Sequence, residues 1–437
     1  MKKSILLIVP LFVTLNAQNL KTTVEEVLTT NPIVLERLEN FNSTKTDITV
    51  AKAGYYPQLN LKLGLGVENF DDDKQTPTGE TLDVYTGSLI YTQNLFKGFE
   101  TSSQIDAQKN RSLSAAYSYI EKANDTSFEM VNKYLEVIKN KELVGTAEEN
   151  IKIDTEILEK VQKLYKGGLT TLSEVNKIES SLSLAKTNLM VQKNTLRDAE
   201  YSMQRVLGRG LELNLMSKPT VVADFPATFE EAIDLAKKNN PSIIVANYNI
   251  KLAKATKTEK KSTYYPSLDL ELSASRNENF SGVDDNTKDD LKAMAYLSYN
   301  IFNGFSDKAS IQKSETYLQQ EIQNKYQLER EVTEGMSLSW VSYSTLQDQI
   351  TELQEYKRFS LRTLELYSKE YDLGRRSLLD LLSAQNDFIG AKAKIITTSY
   401  NLLLAKYRVL DAMGTLVPAV IGDDKAIYNN VNLKETN

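Results

Sequence analysis

One stretch of this chain occurs twice, and the repetition limits what the rest can be. Tyr165 to Leu207 opens YKGGLTTLSEV, and Tyr371 to Met413 opens YDLGRRSLLDL. An offset of 206 superposes Tyr165 on Tyr371, Gly168 on Gly374, Leu172 on Leu378, Glu174 on Asp380 and Gly208 on Gly414. Each copy reads as a glycine turn that opens a long helix, since glycine supplies the left-handed backbone of a tight reversal. A chain that repeats one helical hairpin is an internal duplication, and its fold must be built from two equivalent halves.

The helices before the turns are very long. Between Phe99 and Lys166 there is no proline, and the only glycine is Gly145. That predicts one helix over 99–166, about 68 residues and on the order of 100 Å. Met130, Val137, Val144, Ile151, Leu158 and Tyr165 recur every seven residues along it. After the tip at 166–171, the returning helix 172–207 has Val175, Leu182, Leu189, Leu196 and Met203. The second half repeats both spines. Met336, Tyr343, Ile350, Lys357, Leu364 and Tyr371 lie on helix 305–372, with Lys357 the one break. Leu381, Phe388, Ile395, Leu402 and Val409 lie on helix 378–413, beyond the tip 373–377. A strict seven-residue period predicts left-handed supercoiling against neighbouring helices.

The opening of each half has another period. Val24 to Gly54 reads as helix interrupted at Asn31-Pro32, and the pattern changes at Tyr55-Tyr56-Pro57. Leu59, Leu61, Leu63, Leu65 and Val67 then alternate with Asn60, Lys62, Gly64 and Gly66. That is a strand with one apolar and one wet face. An acidic loop with Asp71, Asp72 and Asp73 leads to a returning strand that carries Leu89, Tyr91 and Leu95 on its apolar side. The second half repeats this after Tyr264-Tyr265-Pro266, with Leu268, Leu270, Leu272 and Ala274 against Asp269, Glu271, Ser273 and Ser275. Its acidic loop has Asp284, Asp285, Asp289 and Asp290. The strands are expected at 57–68, 84–96, 266–276 and 291–302. The repeats are expected at 18–210 and 228–414, joined by a linker over 211–227. The tail 415–437 is polar and without strong pattern.

MKKSILLIVPLFVTLNAQ has the charge and apolar run of a secretory signal over 1–17, so export is expected. No later stretch approaches a transmembrane helix, which leaves a soluble product or a β-barrel. The 437 residues include no cysteine and no histidine, and the net charge is −6 without a basic patch. Disulfides, thiolate chemistry and histidine catalysis are therefore excluded, and nucleic acid is not an expected partner. No cofactor or metal is expected. A carboxylate-dependent hydrolase has no paired acids on an enclosed scaffold to support it.

Four amphipathic strands cannot close a barrel, since small barrels take about eight. An open sheet with an apolar face would aggregate. Several chains must therefore pool their strands, and three chains would supply twelve. The expected fold class is an α+β membrane protein: a trimeric 12-stranded β-barrel continued by a long α-helical coiled-coil barrel. The helix lengths agree, because the opening segment and the returning helix, stacked end to end, match the unbroken helix at about 100 Å. A structural surface fibre, the competing reading, has no use for outward leucines on paired strands.

The duplicated NP openings, the YYP strand entries, the NLFKGF and NIFNGF strand ends and the two hairpin tips occur together in one order. In this the chain resembles the TolC-like outer membrane efflux family along nearly all of its mature length. The resemblance implies a homotrimeric duct in the outer membrane of a Gram-negative bacterium, set in its lipid and extending into the periplasm. It implies a periplasmic adaptor and an inner-membrane ABC or RND transporter as partners. GRRSLLDLLSAQNDFIGAK is most similar to members serving type I protein secretion; an RND-type multidrug pump is the alternative. The resemblance also implies a periplasmic gate at Ser173, Glu174, Tyr371, Arg376 and Asp380, with Tyr371 and Arg376 reaching Ser173 or Glu174. Where such members carry a second acid one turn after Asp380, this chain has Ser383. Gly168, Leu169, Thr170, Gly374 and Arg375 would form the adaptor-docking tips.

Overall fold

The computed structural model describes residues 19–69, 81–221, 225–279, 285–423 and 431. The expected signal, Asp71, Asp72 and Asp73 of the first acidic loop, Asp284 of the second and most of the tail lie outside these residues, while Asp289 and Asp290 fall within a strand. In chain order the elements are α1 (Leu20–Thr30), α2 (Pro32–Lys52), β1 (Gln58–Asn69), β2 (Thr81–Lys97), α3 (Glu100–Lys166) and α4 (Leu172–Leu207). The second half supplies α5 (Phe229–Asn239), α6 (Pro241–Lys260), β3 (Ser267–Glu278), β4 (Thr287–Ser298), α7 (Ser306–Asp372), α8 (Leu378–Ala412) and α9 (Leu416–Ile421). They fall into two compact units. One, the hairpin unit, draws on residues 1–36, 120–240 and 331–430; the other, the sheet unit, on 37–119, 241–330 and 431–437.

In the hairpin unit the duplicated asparagine before proline has a defined task. Asn31 ends α1, its Oδ1 accepts from Ile33 N at 3.0 Å, and its Nδ2 donates to the Val206 carbonyl at 2.9 Å. Asn240 repeats the last contact, donating to the Ala412 carbonyl at 3.0 Å. Each asparagine thus satisfies an orphan carbonyl at the end of a returning helix, and the proline after it starts the next helix at no hydrogen-bond cost. Arg209 locks the same corner through two contacts to Glu26, at 2.6 and 2.7 Å. At the start of α5, Phe225 and Phe229 pack around Trp340 and Tyr343, which lie halfway along α7.

The tail corrects the sequence reading. α9 buries Leu416, Val417 and Ile421 and packs on α1 and α8. A six-residue helix is too short to show a period, which is why composition alone made it look featureless. The spines are also unequal. Tyr371 is 7% exposed, whereas Tyr165, its duplicate, is 43% exposed.

In the sheet unit the four strands pair antiparallel in the order β1-β2-β3-β4. Directly paired residues share a face. One face therefore carries Leu61 beside Leu89, then Ala274, then Leu291. The next row carries Leu59, Tyr91, Leu272 and Ala293. The other face carries Lys62, Ser88, Ser275 and Asp290. Two details differ from the sequence reading. The register shifts between Asn94 and Phe96, so Phe96 stands opposite Leu268 and Leu95 is the extra residue of a bulge. β4 ends at Ser298, four residues before the expected Phe302.

Candidate functional site

The two hairpin tips are built alike. Gly168 and Gly374 both have φ +70. Leu169 N donates to the Leu164 carbonyl and Arg375 N to the Glu370 carbonyl, each at 2.9 Å, the six-to-one bond that closes a helix through a left-handed residue. Gly168, Leu169, Gly374 and Arg375 are exposed, and Thr170 is half-buried. Exposed leucines that the sequence reading passed over surround them: Leu172, Leu373 and Leu379. Their signal was legible, since all three are apolar residues beside a glycine turn and off the seven-residue spine.

Just inside the tips, Tyr371 packs with Ile157, Val161, Val175, Ile178, Leu378, Leu381 and Leu382. This core joins the two hairpins. At its edge the Tyr371 hydroxyl donates to Glu174 Oε2 at 3.1 Å. Burial, and then the Glu174 charge, hold the phenol well above its usual range, so it stays a donor. Thr170 Oγ1 donates to the same oxygen of Glu174 at 2.5 Å.

The other expected partners separate. Arg376 does not reach Ser173 or Glu174; its Nε donates to Glu370 Oε2 at 2.9 Å and its guanidinium lies over the Tyr367 ring at 4.1 Å. The reason is local: the reversal at Gly374 brings Arg376 back beside the last turns of α7. Ser173 pairs with Thr171 at 2.7 Å. Asp380 closes a capping box with Ser377 at the start of α8.

The structure adds contacts that spacing alone did not single out. Lys160 pairs with Asp372 at 2.7 Å. Higher up, α3 and α8 are stitched at successive levels. Tyr400 donates to Glu142 at 2.6 Å, Lys392 pairs with Glu149, and Gln385 Nε2 donates to Asn150 at 2.9 Å and to Asp154 at 2.7 Å. Asp154 and Gln385 are each 1% exposed, and burial raises the Asp154 carboxyl above its usual range against the bonds from Gln385 and Ser181. Asp154 lies three residues after Ile151, and Gln385 four after Leu381. Both are polar residues on an apolar stripe, the sequence sign of a buried polar pair.

Long antiparallel hairpins joined to an amphipathic four-stranded sheet define a membrane-channel subunit. Comparison narrows the class. The model of the outer membrane efflux protein family matches residues 23–209 and 232–415. The outer membrane efflux protein BepC of Brucella suis is 21% identical over 382 residues, covering 87% of this chain and 82% of BepC. TolC of Escherichia coli is 20% identical, covering 92% of this chain and 83% of TolC. The proteases secretion protein PrtF of Dickeya chrysanthemi is 18% identical, covering 85% of this chain and 82% of PrtF. Among solved structures, the Campylobacter jejuni CmeC outer membrane channel superposes with a TM-score of 0.80 at 14% identity, covering 96% of this chain and 89% of that one.

The chain belongs to the outer membrane efflux protein family. It is an outer membrane channel protein of a tripartite export system, not an enzyme.

Proposed function

We propose that three copies of this chain form one exit duct, which passively conducts substrate from an inner-membrane transporter and a periplasmic adaptor to the exterior. The carrying observation is the sheet: one apolar face, one polar face and two edges, β1 and β4, without a neighbouring strand among the described residues. Three sheets joined edge to edge close the barrel, set the leucine face in outer-membrane lipid and turn the polar face to a water-filled lumen. The tips, with Leu169, Leu172, Leu373 and Leu379 exposed around Gly168, Thr170, Gly374 and Arg375, meet the adaptor.

In this reading the tip contacts are the gate. Tyr371–Glu174 and Lys160–Asp372 tie α7 to the first hairpin. Partly wet pairs are worth about 0.2–1 kcal/mol each, and threefold repetition sums them to a few kcal/mol, enough to bias a two-state gate. Asp380, also repeated three times, adds carboxylates at the mouth that favour cations. Tyr371→Phe keeps the ring in the tip core and removes the donor, so single-channel conductance in planar bilayers should rise while the oligomer stays intact. Arg376→Ser, which loses the contacts to Glu370 and Tyr367 on α7 and none to the first hairpin that the gate uses, should change conductance less. Equal conductance of parent and Tyr371→Phe at several salt concentrations would place the gate elsewhere.

Type I protein secretion is the system this reading favours. Its support is the GRRSLLDLLSAQNDFIGAK tip helix and similarity to PrtF, which is named for protease secretion. Multidrug efflux by an RND-type pump is the second reading, supported by similarity to BepC, named an efflux protein. Deletion of the gene in its own host distinguishes them. Loss of large secreted proteins from the medium, with drug tolerance unchanged, is the expected result. The reverse pattern would replace secretion with efflux.

A further inference from the structure

The sheet unit holds its own template for the contact it lacks. Under the duplication β1 corresponds to β3 with an offset of 209, and β2 to β4 with an offset of 206. The hairpin registers obey both offsets: Gln58 faces Thr92 in the first repeat, and Ser267 faces Ser298 in the second. The equivalence is thus structural, residue for residue. The junction between repeats, β2 on β3, runs from Tyr85 opposite Glu278 to Lys97 opposite Ser267. The complementary junction, β4 on a strand of the β1 kind, has no occupant among the described residues.

Three differences between the repeats mark the missing neighbour. Gln93 to Lys97 extend β2 beyond the end of β1 because β3 holds them. Their equivalents, Tyr299 to Asn303, follow the end of β4 without strand structure, and Ile301 is 88% exposed. Second, Gly98 is pressed against the turn before β3, where an added Cβ would stand 2.5 Å from the Ser262 carbonyl oxygen. Gly304 has nearly the same backbone, φ 55 against 58, yet faces nothing within 4 Å. Third, Phe99 stands edge-on to Tyr265 at 5.6 Å. Its equivalent, Phe305, is 74% exposed, and Tyr56, the equivalent of Tyr265, is 69% exposed.

We propose that β4 and the segment Tyr299–Phe305 of one copy dock on β1 and the turn Ala53–Tyr56 of a second copy, in the register that β2 uses on β3. The proposal rests on the oligomeric duct and adds the residue pairing of its seam. Carried through the offsets, Leu297 stands opposite Leu63, Ala295 opposite Leu65, Ser298 opposite Lys62 and Lys292 opposite Glu68 of the second copy. Phe305 meets Tyr56 there, and Gly304 lies under the Ala53 carbonyl. On the apolar face Ala293, Ala295 and Leu297 meet Val67, Leu65 and Leu63, with Leu291 against Asn69 at the far end, and Lys292 with Glu68 sets opposite charges side by side on the polar face. A slip of one residue would turn every leucine of β1 to the wrong face, and a slip of two would bring Lys292 opposite Gly66.

The chain has no cysteine of its own, so introduced pairs report alone. Residues directly opposite on antiparallel strands have Cα atoms about 4.5–5.5 Å apart, within disulfide reach. The full-length protein should be oxidised in the outer membrane as four double variants. Lys292→Cys with Glu68→Cys, and Ser298→Cys with Lys62→Cys, should run as covalent oligomers without reductant. Lys292→Cys with Lys62→Cys, and Ser298→Cys with Glu68→Cys, should not, since their sites lie six residues out of register, about 20 Å. As a check without cysteine, Lys292→Glu should lower the yield of assembled particle, and added Glu68→Lys should restore it. A particle of three chains in which neither matched pair links overturns the register alone. A particle of one chain overturns the register and the oligomeric duct together.

Discussion

Arginine in place of Leu63 or Leu272 is expected to keep the protein from accumulating as an assembled particle in the outer membrane. Both residues lie at the middle of their strands and on the leucine face, where Leu63 stands opposite Gly87 and Leu272 between Tyr91 and Ala293. A cationic side chain facing lipid near the midplane costs roughly 2–4 kcal/mol, and three copies raise the penalty threefold. Lys62 is the control. It is the neighbour of Leu63 on the opposite face, beside Ser88, so Lys62→Leu should assemble close to the parent level. The measurement is the amount of oligomer in the outer-membrane fraction. Equal amounts for all three variants would mean that the faces are assigned the wrong way round.

The second large effect is expected from pH. Asp411 sits in the last turn of α8, where the helix dipole already disfavours a negative charge. Burial pushes its carboxyl up to about 7, Asp125 adds repulsion and Arg408 partly offsets it. Asp125 is itself raised, by burial first, against the pull of Lys122. In the unfolded chain Asp411 ionises near 4, so between about 4 and 7 the folded state binds more protons than the unfolded one. Stability must then fall as pH rises through this window, and the loss is complete above it. Each pH unit between the two values is worth about 1.4 kcal/mol, which makes the penalty at neutral pH up to about 4 kcal/mol per chain. Asp411→Asn should therefore raise the unfolding temperature of the detergent-extracted protein at pH 8 and have little effect at pH 4. Parallel pH profiles for parent and variant would refute this account of Asp411.

Much of the architecture was legible because duplication repeats each signal. The spine from Met130 to Tyr165 could be coincidence once, but not with Met336 to Tyr371 beside it. The alternation of Leu59 to Val67 announced a face, and its echo at Leu268 to Ala274 announced a sheet. What sequence could not give was whatever depends on the path of the backbone. Arg376 looked free to cross to Glu174, but the turn at Gly374 delivers it to Glu370. Leu95 was assigned to the apolar face by counting in twos, and one bulge shifted the count. Asp154 and Gln385 stood on apolar stripes in plain view. Their meaning appeared only when α3 and α8 were seen to meet, a contact about 230 residues apart in the chain.

The central claim is that four strands per chain are one third of a barrel. The most direct test is the mass of the protein particle after extraction in mild detergent, by native mass spectrometry or light scattering with the detergent subtracted. Three chains per particle is the predicted result; a folded particle of one chain, or one soluble without detergent, would contradict it.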